Sequence, residues 1–239
     1  MEFSEPLIEG CLIRRYKRFL ADVELSDGEI VTAHCANPGS MLGLKDPGLK
    51  VWLSKSNNPK RKLAYSWELA ETNLGREASL VGINTMLPNK LVKEALENSI
   101  ISELSGYDEL RTEVKYGQTS RIDFLLESEK SAPCYVEVKN VHLMREPGLA
   151  EFPDSVTKRG AKHLGELALM VKQGCRAVML YIIQRTDAID FKLARDLDPE
   201  YARAFDLACN SGVEALCYRC HITTKNIKVS NNLKLSGCL

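Results

Sequence analysis

The run CRAVMLYIIQ, residues 175–184, constrains the fold of this chain more than any other feature. It is almost continuously apolar, well short of a membrane-spanning length, and lacks the alternation of a strand with one wet face. Such a run reads as a buried strand of a parallel sheet, and parallel strands need crossover connections, usually helices. Helical candidates flank it. DSVTKRGAKHLGELALMVKQG (154–174) reads as a helix capped by Asp154 or Ser155 and stopped by Gly174. DPEYARAFDLACNSG (198–212) reads as another, ended by Asn-Ser-Gly, and VEALCYRCHI (213–222) as a final strand.

Upstream, NKLVKEALENSIISEL (89–104) has helical spacing and is preceded by Pro88. Three strands follow: ELRTEVKYG (109–117), SRIDFLLE (120–127) and CYVEVKNV (134–141). From residue 89 onward the order is therefore αβββαβαβ. Before about residue 84 the pattern differs. Turns at SDGE (26–29), NPGS (37–40), DPG (46–48) and NNPK (57–60) separate short segments such as FLADVEL, EIVTAHC and KVWLSKS. Short strands punctuated this often suggest a small barrel or sandwich, and a five-stranded OB-like barrel fits the length. The chain reads as α/β (α+β), with an OB-like barrel over 1–83 and an αβββαβ domain over 84–239.

Formal net charge is zero, so no global field advertises a polyanionic partner. Two local basic patches remain. RRYKRF (14–19) sets Arg14, Arg15, Lys17 and Arg18 around Tyr16, which suits backbone phosphates and base stacking, or equally a strand with Tyr16 packed. KRK (Lys60, Arg61, Lys62) is either a second phosphate contact or a solvated face. The opening residues lack a basic segment followed by an apolar run, and the eight cysteines read as reduced thiols, so a cytoplasmic protein with no membrane partner is expected. Cys217 and Cys220 lack a second ligand pair for zinc and, three apart on a strand, face opposite sides.

CYVEVKNV carries the chemistry. Read as a strand, it puts Cys134, Val136 and Val138 on one face and Tyr135, Glu137 and Lys139 on the other. SRIDFLLE alternates too, with Ile122, Phe124 and Leu126 opposite Arg121, Asp123 and Leu125. Antiparallel pairing of the two strands would bring Asp123 beside Glu137 and Lys139. Adjacent carboxylates repel unless a cation lies between them, and hard oxygen ligands suit Mg²⁺ or Mn²⁺. Lys139 could orient or deprotonate a water, or neutralise charge on a phosphate. This Asp-x(13)-Glu-x-Lys arrangement matches the PD-(D/E)xK nuclease-like pattern, with Ile122 where that pattern often has Pro. The plainer alternative is a surface Glu137–Lys139 ion pair. Glu94 on the first helix could add a metal-binding carboxylate, or be a solvated helix charge. Lys158, Lys162 and His163 could clamp a phosphate beneath a loop at 146–155, and Asn37 and Gly39 mark a tight turn.

The strings RRYKRFLADVEL, HCANPGSM, SELSGYDELRTEVKYG, SRIDFLLE, CYVEVKNVHL and FPDSVTKRGAKHL resemble the sugar fermentation stimulation protein A (SfsA) family along the whole chain. The resemblance implies an OB-like domain, a PD-(D/E)xK-like domain, and sequence-independent DNA binding tied to regulation of bacterial maltose and sugar utilisation. It carries the catalytic Asp, Glu and Lys onto Asp123, Glu137 and Lys139. The functional reading is DNA binding with a nuclease-type divalent-metal site. A Mg²⁺-dependent nuclease and a small-molecule phosphohydrolase stay open as alternatives.

Overall fold

The computed structural model describes residues 1–74, 77–117 and 120–236. The turn-rich first third forms β1 (Ile8–Tyr16), β2 (Leu20–Leu25), β3 (Ile30–His34), β4 (Lys50–Lys55), β5 (Tyr65–Thr72) and β6 (Ser79–Gly82). They line up as β3-β2-β1-β4-β5-β6, and parallel pairing of Ala33 and His34 with Tyr65 and Ser66 closes β1 to β5 into an OB barrel. Leu12, Val23, Val31, Val51, Leu53 and Trp67 point inward and fill it. The Trp67 indole N–H donates to the Leu69 carbonyl at 2.9 Å, so the buried ring leaves no polar atom unpaired.

The second region contains α1 (Pro88–Glu97), β7 (Glu109–Tyr116), β8 (Ser120–Ser128), β9 (Ser131–Val141), β10 (Leu143–Glu146) and β11 (Leu149–Phe152). It continues with α2 (Lys158–Lys172), β12 (Arg176–Ile183), β13 (Asp190–Leu193), α3 (Pro199–Asn210), β14 (Glu214–Ile222) and β15 (Ile227–Asn232). The main sheet runs β15-β14-β12-β9-β8-β7, with β9, β12 and β14 mutually parallel. The apolar run thus becomes the buried strand β12. Val178, Leu180 and Ile182 face one layer, while Ala177, Met179, Tyr181 and Ile183 face the other. The first layer joins α1 to Trp52 and Leu69 of the barrel; the second holds α2 and α3. Cys217 and Cys220 enter opposite layers, as their spacing predicts. Among the described residues no helix is long and apolar enough to cross a membrane.

Several expected boundaries shift. The helix expected over 89–104 ends at Glu97, where Asn98 and Ser99, poor helix formers, turn the chain out; Ser99 has φ 53, and one 3₁₀ turn follows at Ser102–Leu104. The segment expected as a loop over 146–155 contains most of the β10–β11 hairpin, which turns at Gly148 (φ 83) and joins β13 in a small sheet. Helix α2 is capped by Thr157, not by Asp154 or Ser155: its side chain accepts from the Gly160 N–H at 3.1 Å. Residues 1–3 lie outside the barrel. Glu2 bridges Asn226, and the Phe3 N–H donates to the Lys225 carbonyl at 3.0 Å.

Asp154 instead ties the two regions together. Its Oδ2 accepts from the Met41 N–H at 3.2 Å and lies 3.3 Å from His142 Nε2; its backbone carbonyl accepts from the Ser40 hydroxyl at 2.8 Å. The Asn37 side chain accepts from the Gly39 N–H and donates to the Ile83 carbonyl, which fixes this turn. A second seam is backbone: Gly82 N–H donates to the Gln184 carbonyl at 2.9 Å and Thr186 N–H to that of Leu80 at 3.1 Å. Burial pushes the Asp154 carboxyl up, but bonds from His142, Met41 and Ser155 outweigh it and hold it at about 2. A depressed carboxylate stabilises above its ordinary pKa and loses that contribution as pH falls through its folded value. Asp154→Ala should therefore cost roughly 2 kcal/mol at neutral pH, fading toward acid, when followed by denaturant unfolding. Gly39→Ala, whose new methyl would overlap the Asp154 carboxylate, should cost a similar amount and not add to it.

Candidate metal centre

The site forms where β8 and β9 part. Their register runs from Leu126↔Cys134 to Phe124↔Val136 and stops. Beyond it the Val138 N–H donates to Asp123 Oδ2 at 2.8 Å, so a carboxylate replaces the strand. Asp123 Oδ1 accepts from the Asn89 side chain, at the start of α1, at 2.7 Å. Simple alternation fails here: Ile122 packs in the α2–α3 layer with Leu125, whereas Phe124 and Leu126 pack toward α1. The irregularity is shared with β7, where Glu113 has φ 55 and the register steps past it.

Glu137 is 3% exposed. Its Oε1 accepts from Lys139 Nζ at 2.7 Å and from His163 Nδ1 on α2. His163 Nε2 in turn faces Arg159 Nε at 3.3 Å. The two contacts assign the tautomer: Nδ1 carries the proton toward Glu137, and Nε2 accepts from Arg159. Glu137 Oε2 is buried without a hydrogen-bond partner. Burial pushes the Glu137 carboxyl up, but His163 and Lys139 outweigh it and lower it. Burial and then the Glu137 charge push Asp123 up, against the bonds from Val138 and Asn89. Two neighbouring carboxyls are thus driven apart in acidity, a pattern typical of functional sites.

These donors fit a hard divalent cation. Among the described residues no group of three or more His, Cys, Asp or Glu forms a ready-made cage. Two carboxylates with an orphaned oxygen suit Mg²⁺, which takes one or two carboxylates and keeps waters. Glu94 is not among them. Its carboxylate pairs with the N-terminal ammonium of Met1. Five residues beyond Asn89 is about 140° around a helix, so α1 cannot aim both at Asp123.

The basic residues divide. Arg14 pairs with Asp22 at 2.8 Å and stacks 4.8 Å from the Tyr16 ring, whose hydroxyl also bonds Asp22. Arg15 donates to the carbonyls of Asn37 and Gly39, and Arg61 to Ser66. Lys17 and Arg18 occupy the β1–β2 turn with φ 46 and 65. The register Tyr16↔Leu20, Leu20↔His34, His34↔Ser66 puts that turn at the barrel end where Arg61 bonds Ser66, beside Lys60 and Lys62. This end meets the sheet domain. A cleft of about 450 Å³ there is lined by Arg18, Asn37, Thr85, Asn140, Phe152 and Thr157. Lys158, Arg159 and Lys162 lie exposed on the first turns of α2, Lys162 3.7 Å from Glu166. His163, expected to clamp phosphate, is buried against Glu137 instead. Asn89 and Arg159 were not marked by the sequence. The available signal was polar residues within the apolar stripe of α2, where His163 and Glu166 share a face with Leu164 and Leu167.

A carboxyl whose folded pKa is raised stabilises below its unfolded pKa, and that contribution is lost as pH rises through the folded value. Ionised Asp123 therefore strains the protein at neutral pH. Asp123→Asn in chelator should melt at or above wild type at pH 7, with the gap closing toward pH 4, in paired thermal scans.

A family model described as "Sugar fermentation stimulation protein RE domain" matches residues 86–226, and one described as "SfsA N-terminal OB domain" matches 13–83. A sugar fermentation stimulation protein homolog of Maricaulis maris is 55% identical over 98% of this chain and 98% of its own length. One from Azorhizobium caulinodans is 56% identical over 99% of this chain and all of its own. Among solved structures, that of Pyrococcus furiosus SfsA in complex with Ca²⁺ is similar at a TM-score of 0.87 and 27% identity, covering 99% of this chain and 98% of that one. Matched across both regions, this chain belongs to the sugar fermentation stimulation protein family.

Proposed function

We propose that this protein binds DNA along its sugar–phosphate backbone and grips one phosphate through a divalent cation at Asp123 and Glu137. The observation that carries the reading is the orphaned, buried Oε2 of Glu137 beside the raised carboxyl of Asp123. The P. furiosus relative, solved with Ca²⁺, supports it. So does the cleft, which Arg18 lines from the barrel and Thr157 from the other side, next in the chain to the exposed Lys158 and Arg159. Its volume is in the range of small-ligand sites. With a net charge of zero, backbone binding rests on these local cations rather than on a global field. In the cytoplasm, where free thiols persist, such binding would serve regulation of sugar utilisation, in keeping with the name of the relatives.

Hydrolysis of the bound phosphodiester is a second reading, favoured by Lys139. It donates to Glu137 at 2.7 Å and so presents a cation where charge would develop on a phosphate. His163 fixes Glu137, and Arg159 fixes His163, so the carboxylate cannot swing away. A cation held there would polarise the phosphate and favour deprotonation of an attacking water.

The test uses purified protein with single- and double-stranded DNA, in Mg²⁺, Mn²⁺ or chelator, scored for retention and cleavage. Retention that falls with salt and strengthens with metal is expected; no retention at low salt sinks the DNA reading. Lys139→Ala should keep divalent binding by calorimetry and abolish any cleavage. Arg18→Ala should flatten the salt dependence by about 0.9 in log–log slope if it meets one duplex phosphate, whereas Arg14→Ala, already paired to Asp22, should leave the slope nearly unchanged.

A further inference from the structure

Helix α2 buries an acid, its only one, that the site described so far does not use. Glu166 is 6% exposed, and neither carboxylate oxygen has a hydrogen-bond partner. Lys162 Nζ, 3.7 Å away, is too far to donate to it. The carboxylate lies against the backbone of Gly117, where a side chain would come within 2.9 Å of Oε1. Beside it is Tyr116, 6% exposed, whose hydroxyl is also unpartnered. Burial, then the charges of Glu137, Glu166 and Asp123, in that order, push the phenol up, so all three acids are near it. Buried polar atoms normally find partners, and those that do not call for a water or an ion. Four such atoms sit on neighbouring elements: Glu137 Oε2 on β9, both oxygens of Glu166 three residues past His163 on α2, and the Tyr116 hydroxyl at the end of β7, next to the Gly117 that Glu166 touches.

We infer that Glu166 is the third carboxylate of the cation site, acting with the Tyr116 hydroxyl on the water shell of the ion rather than on the ion itself. The assignment rests on the cation reading of Asp123 and Glu137. Two observations favour water over direct ligation. Glu166 sits one helical turn beyond His163, the residue that touches Glu137, and no three acids group as a ready cage among the described residues. Mg²⁺ gives up its waters reluctantly, so a carboxylate placed to accept from them suits that ion. The arrangement also supplies what α1 does not, since Glu94 faces the N-terminus. Glu166 is thus a positioning residue for the water around the ion.

The experiment is Mg²⁺ and Mn²⁺ titration calorimetry on the full chain, with thermal scans in chelator and in Mg²⁺. The proteins are wild type, Glu166→Gln, Tyr116→Phe and Asp123→Asn. Expected for Glu166→Gln is a 10- to 100-fold loss of Mg²⁺ affinity, the scale seen for residues that orient a metal's ligands, with a melting point in chelator close to wild type. Tyr116→Phe should lose affinity in the same direction and by less. A purely structural glutamate would give the opposite pattern, a lower melting point in chelator with affinity intact, and that result overturns the assignment. If Glu166→Gln does not fold, Tyr116→Phe decides alone, and unchanged affinity there overturns it. Failure of the underlying reading looks different: wild type binds neither ion and Asp123→Asn changes nothing.

Discussion

A carboxylate buried on the face of a sheet must be answered by donors from another layer, and the sheet domain is arranged around that demand. Moving such a charge out of water costs on the order of several kcal/mol unless it is paired. Glu137 is answered by Lys139 along its own strand and by His163 across the layer, from a helix whose position is set by the crossover between β9 and β12. Parallel pairing of those strands requires the helix, and the helix delivers the histidine. The fold and the site are thus solved by the same connection.

The barrel is more than an appendage. Its outer face contributes Trp52 and Leu69 to the layer over α1, and its turn at residues 37–41 is bound to Asp154 immediately before α2. Asn140 extends the polar link, with its amide 3.2 Å from His142 Nδ1 and its carbonyl accepting from Gln184 at 2.7 Å. One network therefore runs from the barrel turn through His142 to the strand that carries Glu137 and Lys139. A hinge at this joint would break hydrogen bonds and open apolar surface together, so the two regions are held as one working surface.

Much of this is legible in the residues. The buried parallel strand, the turn-rich barrel, and the acid–acid–lysine set on neighbouring strands follow from periodicities that burial imposes directly. What was not legible depends on departures from periodicity. Alternation holds from Phe124 to Leu126 and breaks at Ile122, and Asp123 sits at that break, where its carboxylate takes the Val138 N–H beyond the end of the ladder. Glu94 looked suitable because any exposed acid on α1 does; only the rotation of the helix about its axis distinguishes it from Asn89. His163 and Glu166 sit in an apolar stripe, where sequence offers their spacing but not the partner each meets across the layer.

The pairing of residues 1–3 with the strand entry at 225–227 has a consequence in time. The sheet domain is discontinuous: residues 1–3 make backbone contacts whose partners come more than two hundred residues later. At about 5–20 residues per second, residues 1–3 wait roughly ten to fifty seconds for those partners to be made. The barrel is thus a guest completed before its host. That edge closes only once residues 225–227 have been made.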